Sequence, residues 1–340
     1  MAPSPLPDAV HRGARALVQP PSGHVDLGLG ALVACTMGGC LAVGLAAGEE
    51  ASGTVAALAA LNTALVEVPG RWSRRLGAIV FAAVLNALLV GLGTWVAEPA
   101  WLGALTTLVV VPLLVLAGLR SPLLRQVAVP STLLFVVAVG LPEGPVADRA
   151  LAALAGGGLA VVVLAVALVV GLRPEAPPLP AVRPEVLLPH AVRFGIAAAC
   201  GVAVAAALSL GHGYWLALTI AVVLRPGLAP TAERVAQRLA GTLLGGLLGA
   251  LVIELVPSDA VLVAVSAELV GLAAGLMASE YRLAATFITG GVLAMLDIGH
   301  AVSVSLVDDR LLATVIGAGI ALLAIILWPG PAEEPGPARA

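Results

Sequence analysis

Lysine is missing from this 340-residue chain: all 17 of its basic residues are arginine. That absence excludes a phosphate-binding loop of the G-x-x-x-x-G-K-[ST] type, which needs its lysine, and Schiff-base catalysis, which needs an amine. Charge of either sign is scarce as well, at 11% of residues, and aromatic side chains make up 3%. No basic stripe with interleaved aromatics exists, which removes nucleic acid as a partner. The three cysteines, Cys35, Cys40 and Cys200, lie inside apolar runs with no C-x-x-C spacing and no nearby histidine. They read as small packing residues, and neither a metal site nor a cofactor is expected.

What is present is apolar surface. Sixty per cent of the chain is hydrophobic, with a mean hydropathy of +1.07. Bilayer-length runs recur from residue 27 to residue 328, the pattern of an all-α polytopic membrane protein. Charges sit between the runs, because a charge at mid-membrane costs at least about 2.5–3.5 kcal/mol. Twelve runs can be placed, including 52–68, 77–97, 213–226, 239–256 and 311–328. Residues 1–22 are Pro-rich and read as a cytosolic disordered tail, as do residues 330–340.

The prolines of "RPEAPPLPAVRPEVLLP" mark 173–189 as a cytosolic linker. The sequence on either side of it is related. "HVDLGLGALVAC" from His24 resembles "HAVRFGIAAAC" from His190, "RWSRRLG" from Arg71 resembles "RVAQRLA" from Arg234, and "ADRALAALAGGGLA" from Ala147 resembles "DDRLLATVIGAGIA" from Asp308. The chain is therefore expected to hold about twelve transmembrane segments as two parallel six-helix repeats, 23–172 and 190–329. With both termini in the cytoplasm, every arginine except Arg149 and Arg310 falls on the inner side, as the positive-inside rule asks. Trp95, Trp101 and Trp215 then fall near the outer edge, and Trp72 and Trp328 near the inner.

One stretch breaks the pattern. "GYWLALTIAVVLRP" (213–226) would span only about 21 Å as a helix, against a hydrocarbon core of roughly 30 Å. Its counterpart ends in "ALVEVPG", aligning Pro69-Gly70 with Pro226-Gly227. Short, Pro/Gly-interrupted segments at matching places in two halves point to a transporter's binding region. Thr231 then suits an N-cap, and the helix it opens carries Arg234 and Arg238 four residues apart on one face. Arg225, Arg234 and Arg238, with Arg71 and Arg75 across the pseudo-axis, form the candidate anion site, since a guanidinium grips a carboxylate bidentately. Against this stands topology alone, in which cytoplasmic arginines meet lipid headgroups; for Arg74, Arg120 and Arg125 that reading is preferred. Gly241, Gly245 and Gly249 form a close-packing face. Glu268, at the middle of its run, is the candidate for a coupled proton.

Residues 213–252 resemble the signature of the fusaric-acid-resistance (FUSC-like) family of aromatic acid exporters. The resemblance is carried by Tyr214 and Trp215 entering a helix, then Thr231, Arg234, Arg238, Gly241 and Thr242. The ending "DDRLLATVIGAGIALLAIILWP", with Arg310, resembles the family's last helix. Plant aluminium-activated malate transporters are more distantly similar. The resemblance implies a multi-pass inner-membrane transporter that exports organic, foremost aromatic, carboxylates. Family members with a large cytosolic domain differ from this chain, which leaves room for a periplasmic adaptor or a homo-oligomer as partner. A passive anion channel of the same architecture and a non-transporting scaffold or efflux-complex subunit are the alternatives. An enzyme is not expected: Asp308-Asp309 lacks a D-D-x-x-D partner, and no histidine cluster offers a metal.

Overall fold

The computed structural model describes residues 6–18, 24–141, 144–173, 183–299 and 305–329. Among them lie thirteen helices and no strand. The first six are α1 (Leu6–Val18), α2 (Leu27–Ala47), α3 (Glu50–Ala64), α4 (Trp72–Trp95), α5 (Ala100–Arg120) and α6 (Pro122–Val139). There follow α7 (Val146–Val169), α8 (Pro184–Ala207), α9 (Tyr214–Val223), α10 (Leu228–Leu255), α11 (Asp259–Leu276), α12 (Tyr281–Asp297) and α13 (Ser305–Leu327). Nine of these are long and apolar enough to cross a membrane. The protein is a multi-pass membrane protein. The helices α3, α9 and α12 are shorter, with 15, 10 and 17 residues.

Local chemistry sets several boundaries. Asp26 caps α2 by accepting from the Leu29 N–H at 2.8 Å. Between α5 and α6 only Ser121 intervenes, its hydroxyl accepting from the Leu124 N–H at 3.2 Å, with Pro122 in the first turn where a missing N–H costs nothing. Pro130 lies inside the continuous α6, and the side chain of Asn62 donates to its carbonyl at 3.0 Å. Asn86 donates to the Thr63 hydroxyl at 3.1 Å and accepts from Ser131 at 2.7 Å. The interior of the first half thus carries a neutral polar network.

Helix contacts follow small residues, as expected where lipid supplies no hydrophobic drive between helices. On the α10 face formed by Gly241, Gly245 and Gly249, the added Cβ of Gly245 would lie 2.4 Å from the Thr286 carbonyl oxygen, so α12 rests directly on α10 backbone. The opposite side of α10 shows Leu243, Leu247 and Leu251 to the surroundings. The halves are linked chiefly by α5 packing on α8 and α2 on α11, and further by α6 against α9.

The structure departs from sequence expectation within the first tail. Residues Leu6–Val18 are helical, not an irregular tail, and α1 lies against α10. Ala9, Gly13 and Ala16 form the seam, with Gly13 over Ala232 and Ala236. Arg282 donates to the Leu17 carbonyl and so holds the C-terminal end of α1. The linker also ends earlier than its prolines suggest. Pro184 opens α8, and Pro189 sits in its second turn. The rest of the linker, 174–182, and the C-terminal tail, 330–340, fall outside the described residues. Finally, Trp72, Trp95, Trp101 and Trp328 are exposed as belt residues would be, but Trp215 is fully buried.

Candidate functional site

The stretch 213–227 folds as a half helix followed by extended backbone. Helix α9 covers only about 15 Å, and Leu224 and Gly227 then take extended conformations (φ −70°, ψ 118° and φ −113°, ψ 156°). Pro226 favours a break here, because the residue before a proline, Arg225, is driven out of the helical region. Backbone freed at membrane depth is tolerable only when protein encloses it, and Thr231 supplies the enclosure. Its hydroxyl accepts from the Arg225 N–H at 3.0 Å and lies 2.8 Å from the Gly227 carbonyl oxygen, to which it donates. Thr231 is therefore not the N-cap expected of it. Helix α10 starts one turn earlier at Leu228, and Pro230 is accommodated within that first turn. Replacing Thr231 with valine leaves a buried N–H without its acceptor, at an expected cost of about 1–3 kcal/mol. A thermal melt of the purified variant, read against Thr231→Ser, checks it.

Four helices, α9, α10, α12 and α13, enclose a chain of arginines. Arg234 lies over the ring of Tyr281, with its guanidinium carbon 3.5 Å from the ring centroid. One turn on, Arg238 is 4% exposed and its Nε has no hydrogen-bond partner. Arg310, on α13, is also 4% exposed; its guanidinium carbon lies 5.1 Å from the Trp215 ring and its Nη1 has no partner. Arg225 acts electrostatically on Arg234, and Arg238 on both Arg234 and Arg310. The Tyr281 hydroxyl and the Thr242 hydroxyl are buried and unpartnered as well. Buried donors without acceptors are costly, and here they converge in one place with positive charge. Such an arrangement is suited to an anion that brings its own acceptors.

Above this cluster lies an open cavity of about 850 Å³ between the ends of α4, α6, α7 and α8. Trp95, Glu98, Arg149 and Ser209 line it, and Tyr214 forms part of its wall. Tyr214 also lies within electrostatic range of Arg310, and so borders both the cavity and the cluster. Next to it, His212 stacks on Trp215, with ring centroids 4.8 Å apart, and meets Asp309 at 3.1 Å.

The residues expected from sequence divide cleanly. Arg225, Arg234 and Arg238 come together with Tyr214, Trp215, Thr231 and Arg310, while Gly241 serves the α10–α12 contact and Thr242, next to it on α10, is buried. Arg71 and Arg75 do not join them. Arg71 is exposed at the start of α4, and Arg75 donates to the Arg173 carbonyl at 3.3 Å. Glu268 lies on the exposed face of α11, a helix that packs on α2 and α12, and it is not among the groups acting on Arg234 or Arg310. Tyr281 joins the cluster without having been marked by any motif, although its scarcity is a signal: the chain has two tyrosines, and both stand here.

Residues 198–324 match the family model described as fusaric acid resistance protein-like. The matched segment runs from the middle of α8 almost to the end of α13 and contains all four arginines of the cluster, together with Tyr214, Trp215 and Tyr281. The first half, with its neutral Asn86 network, lies outside the matched residues. No curated protein and no solved structure matches the chain.

Proposed function

We propose that the protein carries organic carboxylate anions, aromatic ones foremost, across the inner membrane from the cytoplasm outward. The observation that carries this reading is the pair Arg238 and Arg310, buried to 4% exposure with guanidinium N–H groups that no protein acceptor meets. An Arg–carboxylate contact made in such surroundings is strong and geometrically selective. The flat faces of Trp215, Tyr214 and Tyr281 beside the cations suit an aromatic acid. Export is the direction the family resemblance implies; the topology read in the sequence sets the Arg225 end toward the cytoplasm and the large cavity toward the outside. This is a transport role, not catalysis.

The pairings among helices support two parallel six-helix units. Contacts of α3 with α7 and of α4 with α6 and α7 recur as α9 with α13 and α10 with α12 and α13. The cross-contacts α5–α8 and α2–α11 exchange under the same correspondence. The Arg238–Arg310 pair lies in the second unit, so the path runs beside α9, α10, α12 and α13.

A passive anion channel is the second reading, favoured by the position of Glu268 on an exposed face away from the arginines. Under either reading Glu268→Gln leaves the pH dependence of flux unchanged. Liposomes with an imposed pH gradient test this: loss of the pH response in that variant would return the coupled proton to Glu268. The transport reading itself is tested by Arg238→Gln in reconstituted vesicles, where retained flux of benzoate would sink it.

A further inference from the structure

The two breaks can be laid over one another: "ALVEVPG" (64–70) and "AVVLRPG" (221–227) share their Pro-Gly. Each break frees backbone carbonyls, and each is held by one buried arginine. In the first half Arg173, 7% exposed, donates through Nη1 to the Ala64 carbonyl at 2.9 Å and through Nη2 to Glu67 Oε1 at 2.9 Å. In the second half the arginine is Arg193, which reaches in from α8 and is 2% exposed. Its Nη1 donates to the Pro226 carbonyl at 3.3 Å. Its Nε and Nη2 are buried and have no partner.

The difference lies in two residues. In the register of Glu67 stands Leu224, and in the register of Val68 stands Arg225. The second break therefore holds one more cation than the first and one fewer carboxylate. Nε and Nη2 form the side edge of a guanidinium, two parallel N–H groups that match the two oxygens of a carboxylate. Arg225 lies close by: it and Arg193 both act electrostatically on His190, and Arg225 acts on Arg234 in turn.

We infer that the Nε–Nη2 edge of Arg193 binds the carboxylate of an organic anion at a second, inner subsite, in the role that Glu67 fills for Arg173. This rests on the anion-transport reading and adds a stage to it. The anion meets Arg193 and Arg225 first, then passes Arg234 to the Arg238–Arg310 pair. Arg193 lies outside the residues matched by the family model, so the subsite is assigned by the structure of this chain alone.

Equilibrium binding of radiolabelled benzoate to the full chain in lipid nanodiscs tests the subsite. Leu224→Glu writes the acid of the first break into the second. It is expected to weaken benzoate binding about tenfold or more, because the fork is then filled from within. The same variant is expected to melt higher than wild type in benzoate-free buffer, since a buried cation gains a partner. Arg193→Gln weakens benzoate similarly, and Arg193→Lys, which keeps the charge and loses the fork, does not restore it. If Leu224→Glu does not fold, the two Arg193 variants decide. Wild-type affinity in the variants at 193 and 224, with weakened binding in Arg238→Gln, overturns the inner subsite and leaves the outer reading standing. Absence of benzoate binding by the wild type overturns both.

Discussion

Arg310→Gln is expected to lower anion flux about 10- to 100-fold and, in the same protein, to raise the melting temperature. The first effect follows from losing a charge-assisted hydrogen bond to the anion, worth about 1.5–3 kcal/mol, with each 1.4 kcal/mol a factor of ten. The second follows from what surrounds Arg310 when no anion is bound. It is buried, it faces the charge of Arg238, and its Nη1 has no acceptor. A buried cation without a counter-charge costs several kcal/mol, of which the Trp215 face offsets about 2 kcal/mol at best. Glutamine of similar reach removes the charge and the repulsion together. Function and stability thus move in opposite directions, as expected of a group kept for binding. Flux in liposomes and a thermal melt of the same preparation read both. Lower stability with normal flux would make Arg310 a structural residue.

A second large effect is expected far from the arginines, at Gly156 on α7. A Cβ there would lie 1.9 Å from the carbonyl oxygen of Ala56 on α3 and 2.5 Å from its carbonyl carbon. The obstacle is backbone, so no rotamer change relieves it, and α3 and α7 must separate. Gly156→Ala is expected to cost about 3 kcal/mol or more, at or above the upper end of ordinary overpacking, and to abolish the monodisperse folded peak on size exclusion. Gly158 is the internal control. It lies two residues along the same helix with nothing within 4 Å of an added Cβ. Gly158→Ala should be neutral or stabilising by up to about 1 kcal/mol, following helix propensity. Equal effects at the two positions would contradict the α3–α7 contact.

Much of this architecture can be read from the chain because hydropathy reports composition directly. The apolar runs became α2 to α13, and the Pro-Gly breaks and the α10 glycine face stand where the sequence put them. What hydropathy misses is enclosure by protein. Helix α10 begins eleven residues before its apolar run, since Arg234 and Arg238 lie in turns walled by α9, α12 and α13 instead of water. The seam of α1 is made of Ala9, Gly13 and Ala16, too small to register as apolar, so the helix reads as tail. Matching sequence between the halves also overstated their equivalence. Arg71 and Arg75 align with Arg234 and Arg238, yet Arg71 is exposed and Arg75 turns to the Arg173 carbonyl, and no Tyr281 or Arg310 faces them. Glu268 illustrates the same limit: its depth along the helix was legible, the side it faces was not.

The most direct test of the central claim is benzoate efflux from liposomes holding the purified chain, wild type beside the Arg238→Gln/Arg310→Gln double variant, with folding of both verified. The account predicts saturable flux in the wild type and loss to the protein-free baseline in a double variant that melts higher. Wild-type flux at baseline, or flux indifferent to removing both guanidinium groups, would contradict it.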